Sequence, residues 1–240
     1  MRKLVVLIAC VVLGWACAPS PEKQAQSLLE KSAEAHGGLA TWEGLSAIKF
    51  TKWTKLLQEN GQVESEVTQQ IEFRFQPYLE GKISWVSDSI SHRITFDGTN
   101  LRYFMGENEV QNQGFLDSKR KEFDAAYYTL AQPWNLLKEG NKLHYEGNKN
   151  LENGLVVESI LVDYGPDSDT WWYYFDPQNF KLLGSEVQLK DHRSLVYDLT
   201  YEEVEGLIFH GSRESWRVDE QGEKLFKRAE YLYSNYEVVK

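Results

Sequence analysis

Glu66-Val67-Thr68-Gln69-Gln70-Ile71-Glu72-Phe73-Arg74-Phe75-Gln76 is the stretch that decides the fold. Val67, Ile71, Phe73 and Phe75 fall on one side of an extended chain. Glu66, Thr68, Glu72, Arg74 and Gln76 fall on the other. Side chains alternate across a strand, so a period of two reads as a half-buried β-strand. The same period runs from Ile48 to Tyr103. Ile90, Ile94 and Phe96 alternate with Ser91, Arg93 and Thr95, and Asp97-Gly98 joins that run to Leu101–Tyr103 as a hairpin turn. Connections this short predict an antiparallel sheet.

Strand signals return later in the chain. Leu155 to Tyr164 is one strand and Thr170 to Phe175 the next, and Asp176-Pro177-Gln178-Asn179 turns into Lys181 to Lys190. Ser194 to Val204 pairs across Glu205-Gly206 with Leu207 to Gly211. Ser212 to Val218 turns at Asp219-Glu220-Gln221-Gly222 into Lys224 to Tyr236. The expectation is a mainly β (α+β) fold, a single open antiparallel half-barrel of roughly 10–11 strands. Trp171-Trp172-Tyr173-Tyr174-Phe175 is unusual because alternation places large apolar groups on both faces. One face must meet the helices, and the other packs something else or lines a hollow.

Two helices accompany the sheet. Ser20-Pro21-Glu22 supplies a hydroxyl cap, a proline at the first helical position and a carboxylate at the positive dipole end. Ala25, Leu28, Leu29 and Ser32-Ala33 follow at helical spacing, and His36-Gly37-Gly38 stops the run. His36 reads as a cation favoured at the helix end. Leu39 to Trp42 makes one more short turn. The second helix starts at Asp117-Ser118 and carries Tyr127, Leu130, Ala131, Trp134 and Leu137 as one stripe. Pro133 kinks or breaks it, and Gly140 ends it.

The 240 residues carry a net charge of −10, with 8 Trp, 13 Tyr and 11 Phe. The length suits one all-β domain, and the aromatic content excludes a disordered chain. An acidic chain without a basic patch repels a phosphate backbone, so no nucleic-acid partner is expected.

The first residues change the balance. Met1-Arg2-Lys3 is a short basic region, Leu4 to Leu13 is apolar, and Gly14-Trp15-Ala16-Cys17 follows. Ten apolar residues fall short of the roughly 20 needed to span a bilayer, so 1–16 reads as a signal peptide. Its loss leaves a net charge of −12. Leu7-Ile8-Ala9-Cys10 also matches locally, but cleavage there leaves too short an apolar region. Cys17, before Ala18-Pro19-Ser20-Pro21, resembles the acylated cysteine of a bacterial lipobox. The expected organisation is a signal peptide over 1–16, a lipidated tether over 17–21 and one half-barrel domain over 22–240. Ala18 carries no acidic retention signal, which points to the outer membrane; the sequence does not fix the leaflet, and the periplasmic face is the expectation.

No glycine-rich phosphate loop, nucleophile elbow or zinc helix occurs. His36, His92, His144, His192 and His210 are scattered. Glu202-Glu203 and Asp167-Ser168-Asp169 read as solvated turn acids. No catalytic residue, metal or cofactor is expected, and the protein is not expected to be an enzyme. The aromatic excess is the one positive signal. Trp53, Phe73, Phe75, Trp85, Phe96, Tyr103, Trp171 and Tyr173 either line an apolar concavity plugged by Trp134 or simply form the core.

Several short motifs carry a resemblance. These are Ala35-His36-Gly37-Gly38 with Trp42, Phe96-Asp97-Gly98, Leu130-Ala131-Gln132-Pro133-Trp134-Asn135-Leu136-Leu137, Tyr174-Phe175-Asp176-Pro177, and Tyr197 to Leu207. With the lipobox and helix order, the layout resembles the LolA/LolB-type half-barrel lipoprotein carriers and receptors, in a less characterised exported branch. That resemblance implies an incomplete barrel whose concave apolar face, closed by helices, receives acyl chains of a lipid or lipoprotein. It makes the helix bearing Tyr127, Leu130, Trp134 and Leu137 a lid. Soluble carriers of this type lack an acyl anchor, so the lipidated Cys17 puts the chain nearer the membrane-bound receptor, and a monomer is expected. The competing expectation is an envelope lipoprotein whose hollow is filled by its own side chains and whose surface docks a partner.

Overall fold

Alternating runs linked by tight turns pair readily with their chain neighbours, and the resulting ladder is antiparallel throughout. A computed structural model describes residues 19–138, 142–165 and 168–240. The signal-like segment 1–16, Cys17, Gly140 and Asp167 lie outside the described residues.

The strands are β1 (Ala47–Leu57), β2 (Val63–Arg74), β3 (Glu80–Ser87), β4 (Ile90–Phe96), β5 (Leu101–Met105), β6 (Asn108–Glu109) and β7 (Lys142–Asn150). They continue as β8 (Val156–Asp163), β9 (Thr170–Phe175), β10 (Leu182–Gln188), β11 (Arg193–Val204), β12 (Leu207–Val218) and β13 (Lys224–Val239). All belong to one sheet in the order β6-β5-β4-β3-β2-β1-β13-β12-β11-β10-β9-β8-β7. Two meanders therefore run outward from a central seam where β1 pairs with β13, Ala47 opposite Val239. β6 and β7 do not meet, so the sheet is an open half-barrel. It has thirteen strands. β6 is too short to show a period, and β7 (Lys142–Asn150) is largely polar after Leu143 and Tyr145. β12 is continuous through Gly211, where a Cβ would lie 2.7 Å from Thr200 Oγ1. That glycine marks a close approach inside a strand and not its end.

The helices are α1 (Pro21–Ala35), α2 (Leu39–Glu43) and α3 (Gln113–Leu130). Ser20 caps α1 as expected, accepting the Lys23 N–H at 3.4 Å. α3 begins earlier than Asp117-Ser118, because the Asn112 side chain accepts the Phe115 N–H at 2.9 Å. Asp117 instead accepts from Gln113 and Ser118 donates back to the Phe115 carbonyl, both inside the first turns. Ahead of Pro133 the helix breaks, and Trp134–Leu137 forms a separate 3-10 turn. Trp134 and Leu137 are thus not on the helix that carries Tyr127 and Leu130.

These helices fill much of the concave face. Ile48 and Phe50 of β1 pack with Ile71, Phe73, Ile83, Ile94 and Phe96, and Phe123 of α3 closes on Phe73 and Phe96 with ring centroids 5.3 and 5.2 Å away. At the other end Leu28 and Leu29 of α1 bury against Ile160, Val162, Tyr173 and Phe175. Each such side chain contributes about 1.5–3 kcal/mol. The outer face of β9 has its own small core, where Tyr174 packs with Leu195, Tyr197 and Val218. This accounts for the two apolar faces of Trp171–Phe175.

His36 departs from its expected role. It is 1% exposed, its Nδ1 donates to the Ile208 carbonyl at 3.0 Å, and its Nε2 accepts the Leu182 N–H at 3.1 Å. Burial lowers its pKa to about 4, so it is a neutral crosslink between α1, β10 and β12, not a dipole-capping cation. Beside it, Gly37 at φ 105° lies so close to Gly206 that a Cβ would sit 2.0 Å from its carbonyl oxygen.

Candidate functional site

Part of the concave face stays unfilled. A hollow of about 780 Å³ lies between the inner side of α3 and the central strands. Its position follows from strand parity. Lys52 shares the inward face with Ile48 and Phe50, and the register sets it opposite Tyr233, while Tyr231 stands opposite Arg213. Val196 and Ser185 face the same space from β11 and β10, Trp171 from β9, and Ala126 and Thr129 from α3. The outermost lining residues, Asp124, Ala125, Ser168 and Asp169, are exposed and form the mouth. A larger groove of about 930 Å³ between α1 and β7–β8 is a charged seam lined by Glu22, Lys23, Glu30, Lys142 and Asp163.

The inner end of the hollow is charged. Arg213 is 7% exposed, with Nε 2.6 Å from Asp198 Oδ1. Burial opposes both charges, yet their mutual attraction outweighs it. Asp198 stays below the usual carboxylate range and Arg213 above the usual guanidinium range. His210 Nδ1 lies 2.9 Å from the same carboxylate and Nε2 lies 3.2 Å from the Thr129 carbonyl, so the ring bridges the end of α3 and β12. Lys52 is half-buried. Its Nζ sits 5.3 Å from the Tyr231 ring centroid and 5.9 Å from that of Tyr233. Burial lowers its pKa, Tyr231 and Glu122 oppose that shift, and Arg213 adds to it. Glu122 itself is engaged by Gln69 at 2.9 Å and Lys119 at 2.8 Å.

Polar groups close one side. The Tyr128 hydroxyl meets those of Tyr164 and, at 2.9 Å, Tyr173. Burial raises the pKa of Tyr164 to about 12. Gln132 is 4% exposed and lines the hollow, and its Oε1 has no hydrogen-bond partner among the described residues.

Of the twelve apolar residues singled out above, Trp171 lines this hollow. Phe73, Phe96, Tyr103, Leu130 and Trp134 are buried in the core, with Phe75, Trp85, Tyr127 and Leu137 packed against it. Tyr173 belongs to the α1 core. Trp53 cannot line the concavity. It stands opposite Thr68 on the outer face, with its indole N–H on Glu66 at 2.9 Å. Trp134 does not plug the hollow either, being 1% exposed between Trp42, His36 and Phe209. Lys52, Arg213, Gln132, Tyr231 and Tyr233 were not singled out. The signal was there as cations on apolar faces, since Lys52 continues the side of Ile48 and Phe50.

Glu202 and Glu203 are exposed, and no group of three or more His, Cys, Asp or Glu among the described residues is placed to hold a metal ion. No helix among them is long and apolar enough to cross a membrane.

The sequence matches no protein-family model and no curated protein. Solved structures match it by shape. A DUF1329 family protein from Desulfovibrio piger superposes with a TM-score of 0.57 at 8% identity, over 92% of this chain and 94% of that one. A LolA superfamily protein from Nitrosomonas europaea gives 0.54 at 11% identity, over 90% and 93%. The fold is of the LolA/LolB type. A domain described as outer membrane lipoprotein-sorting, from Vibrio parahaemolyticus, shares this LolA-type fold at 0.54 and 10% identity, over 90% and 93%. At such identities the likeness is one of architecture, and function has to be argued from the site.

Proposed function

We propose that this protein is a non-catalytic envelope lipoprotein of the bacterial outer membrane, anchored through Cys17 on the periplasmic face, that shelters acyl chains in the hollow under α3. The hollow itself carries the reading. Its volume of about 780 Å³ falls within the range of ligand cavities, and the half-barrel's own side chains leave it unfilled. Trp171, Val196, Ala126 and the faces of Tyr231 and Tyr233 offer apolar wall, against which each buried methylene gains about 0.8 kcal/mol. The lipoprotein-sorting domain of the same fold supports the class of ligand. α3 is the lid, because it covers the hollow and its continuation is broken before Pro133.

Native mass spectrometry of the protein purified from its own membranes tests this. A co-purified lipid mass, absent from a Val196→Trp variant that fills the hollow, is the expected result. A ligand-free spectrum for both proteins would overturn it. That outcome favours the second reading, an interaction lipoprotein, which the self-filled core around Phe73, Phe123 and Trp134 supports.

A further inference from the structure

The hollow is not uniformly apolar, and the arrangement of its charges bears on what enters it. Asp198 and Arg213 neutralise one another, and so do Glu122 and Lys119. Lys52 is left over. No carboxylate among the described residues lies within ion-pair distance of its ammonium, which rests near the two tyrosine rings, and Glu122, already held by Lys119 and Gln69, attracts it only through space. The inner end therefore carries an unbalanced positive charge in a partly dry setting, which costs free energy until an anion joins it. At the mouth Asp124 is itself paired with Arg120 at 2.8 Å, and the acid left over there is Asp169. Gln132, which lines the hollow, adds a second and independent sign of a missing partner, since its buried amide oxygen accepts from no donor among the described residues.

We infer that the hollow takes its ligand head first, an anionic head on a single acyl chain resting between Lys52 and Arg213 with the tail running past Trp171 and Ala126 toward the mouth. This rests on the lipid-binding reading above and names the ligand class. A head left outside would meet Asp169, and a tail pushed inward would bury methylenes against an ammonium without an ion pair. Both are unfavourable, so polarity fixes orientation. The neutral Asp198–Arg213 pair still offers guanidinium N–H groups to an acceptor, and Gln132 Oε1 offers an acceptor to a head-group hydroxyl. A carboxylate and a phosphate monoester share this chemistry.

The test uses three single-chain probes of equal length, a fluorescent fatty acid, the corresponding fatty alcohol and a lysophosphatidic acid, titrated against the full chain and its Lys52→Met and Lys52→Gln variants. Wild type is expected to bind at least one anionic probe roughly ten times more tightly than the alcohol. Both variants are expected to lose that preference while binding the alcohol no more weakly. A stronger carboxylate arm assigns a free fatty acid, and a stronger phosphate arm assigns a lysolipid. Equal binding of all three, unchanged in the variants, overturns the head-first inference and leaves the lipid-binding reading standing. Failure of every probe to bind overturns both. Melting curves for the variants confirm that they fold.

Discussion

Trp42 and Trp134 lie face to face, their ring planes 2° apart and their centroids 4.8 Å from one another. The pair joins α2 to the 3-10 turn after Pro133, two segments remote in sequence, and Phe209 and His36 close on Trp134 edge-on. Four elements thus meet on one indole, which makes it a keystone of packing.

Trp134→Ala should therefore destabilise the protein by about 3–5 kcal/mol, the cost of emptying a full core position. Urea denaturation measures this. Because Trp134 does not line the hollow, the folded variant should still bind an acyl probe. Loss of binding at native-like stability would return it to the role of a plug.

His36 makes stability depend on pH. Its folded pKa of about 4 lies below the unfolded value of 6.5, so the unfolded chain binds the extra proton between those limits. Stability is full above pH 6.5 and declines as pH falls toward 4, by roughly 3 kcal/mol from this group. His36→Gln keeps a donor and an acceptor but does not titrate in this window. Denaturation midpoints taken from pH 7 to pH 4 should fall less steeply for the variant, and parallel curves would rule out the assignment.

Asp198 and Arg213 should behave as a unit. Asp198→Ala strands a buried guanidinium and should cost about 3–5 kcal/mol, whereas the double change Asp198→Leu with Arg213→Met should recover most of that loss. A double-mutant cycle by thermal denaturation reads the coupling directly. Additive losses would mean the two charges are separately solvated.

Cys17→Ala should move the protein from the membrane fraction to the soluble periplasmic fraction with its melting temperature unchanged. Retention on membranes after a salt wash would refute the acyl anchor.

The architecture was legible where one face of a strand is apolar and the other polar, as at Val67–Gln76, and where a turn has a chemical signature, as at Asp97-Gly98 and Glu205-Gly206. Glu205 and Gly206 both adopt positive φ, 53° and 84°, as such a hairpin requires. Legibility failed where a residue's role depends on a distant partner. His36 looks like a helix-end cation until Ile208 and Leu182 close over it. Trp53 looks like lining until the register counted from Ile48 turns it outward. The hollow is hard to read from sequence for a related reason. Large aromatic residues fill space, so the cavity lies where smaller and charged residues stand, around Ala126, Val196 and Lys52.

The central seam has a consequence for biogenesis. β1 is among the first strands made and β13 follows every other, yet they are neighbours at the middle of the sheet. On the ribosome the β1–β6 meander has an unpaired inner edge until the entire remainder has been translated. Closure across so long a loop is slow and entropically costly, so the nascent protein cannot finish folding one half at a time. A chain wired in this way keeps itself threadable until synthesis is complete, and a frameshift in β13 would unmake the join that holds the two meanders together.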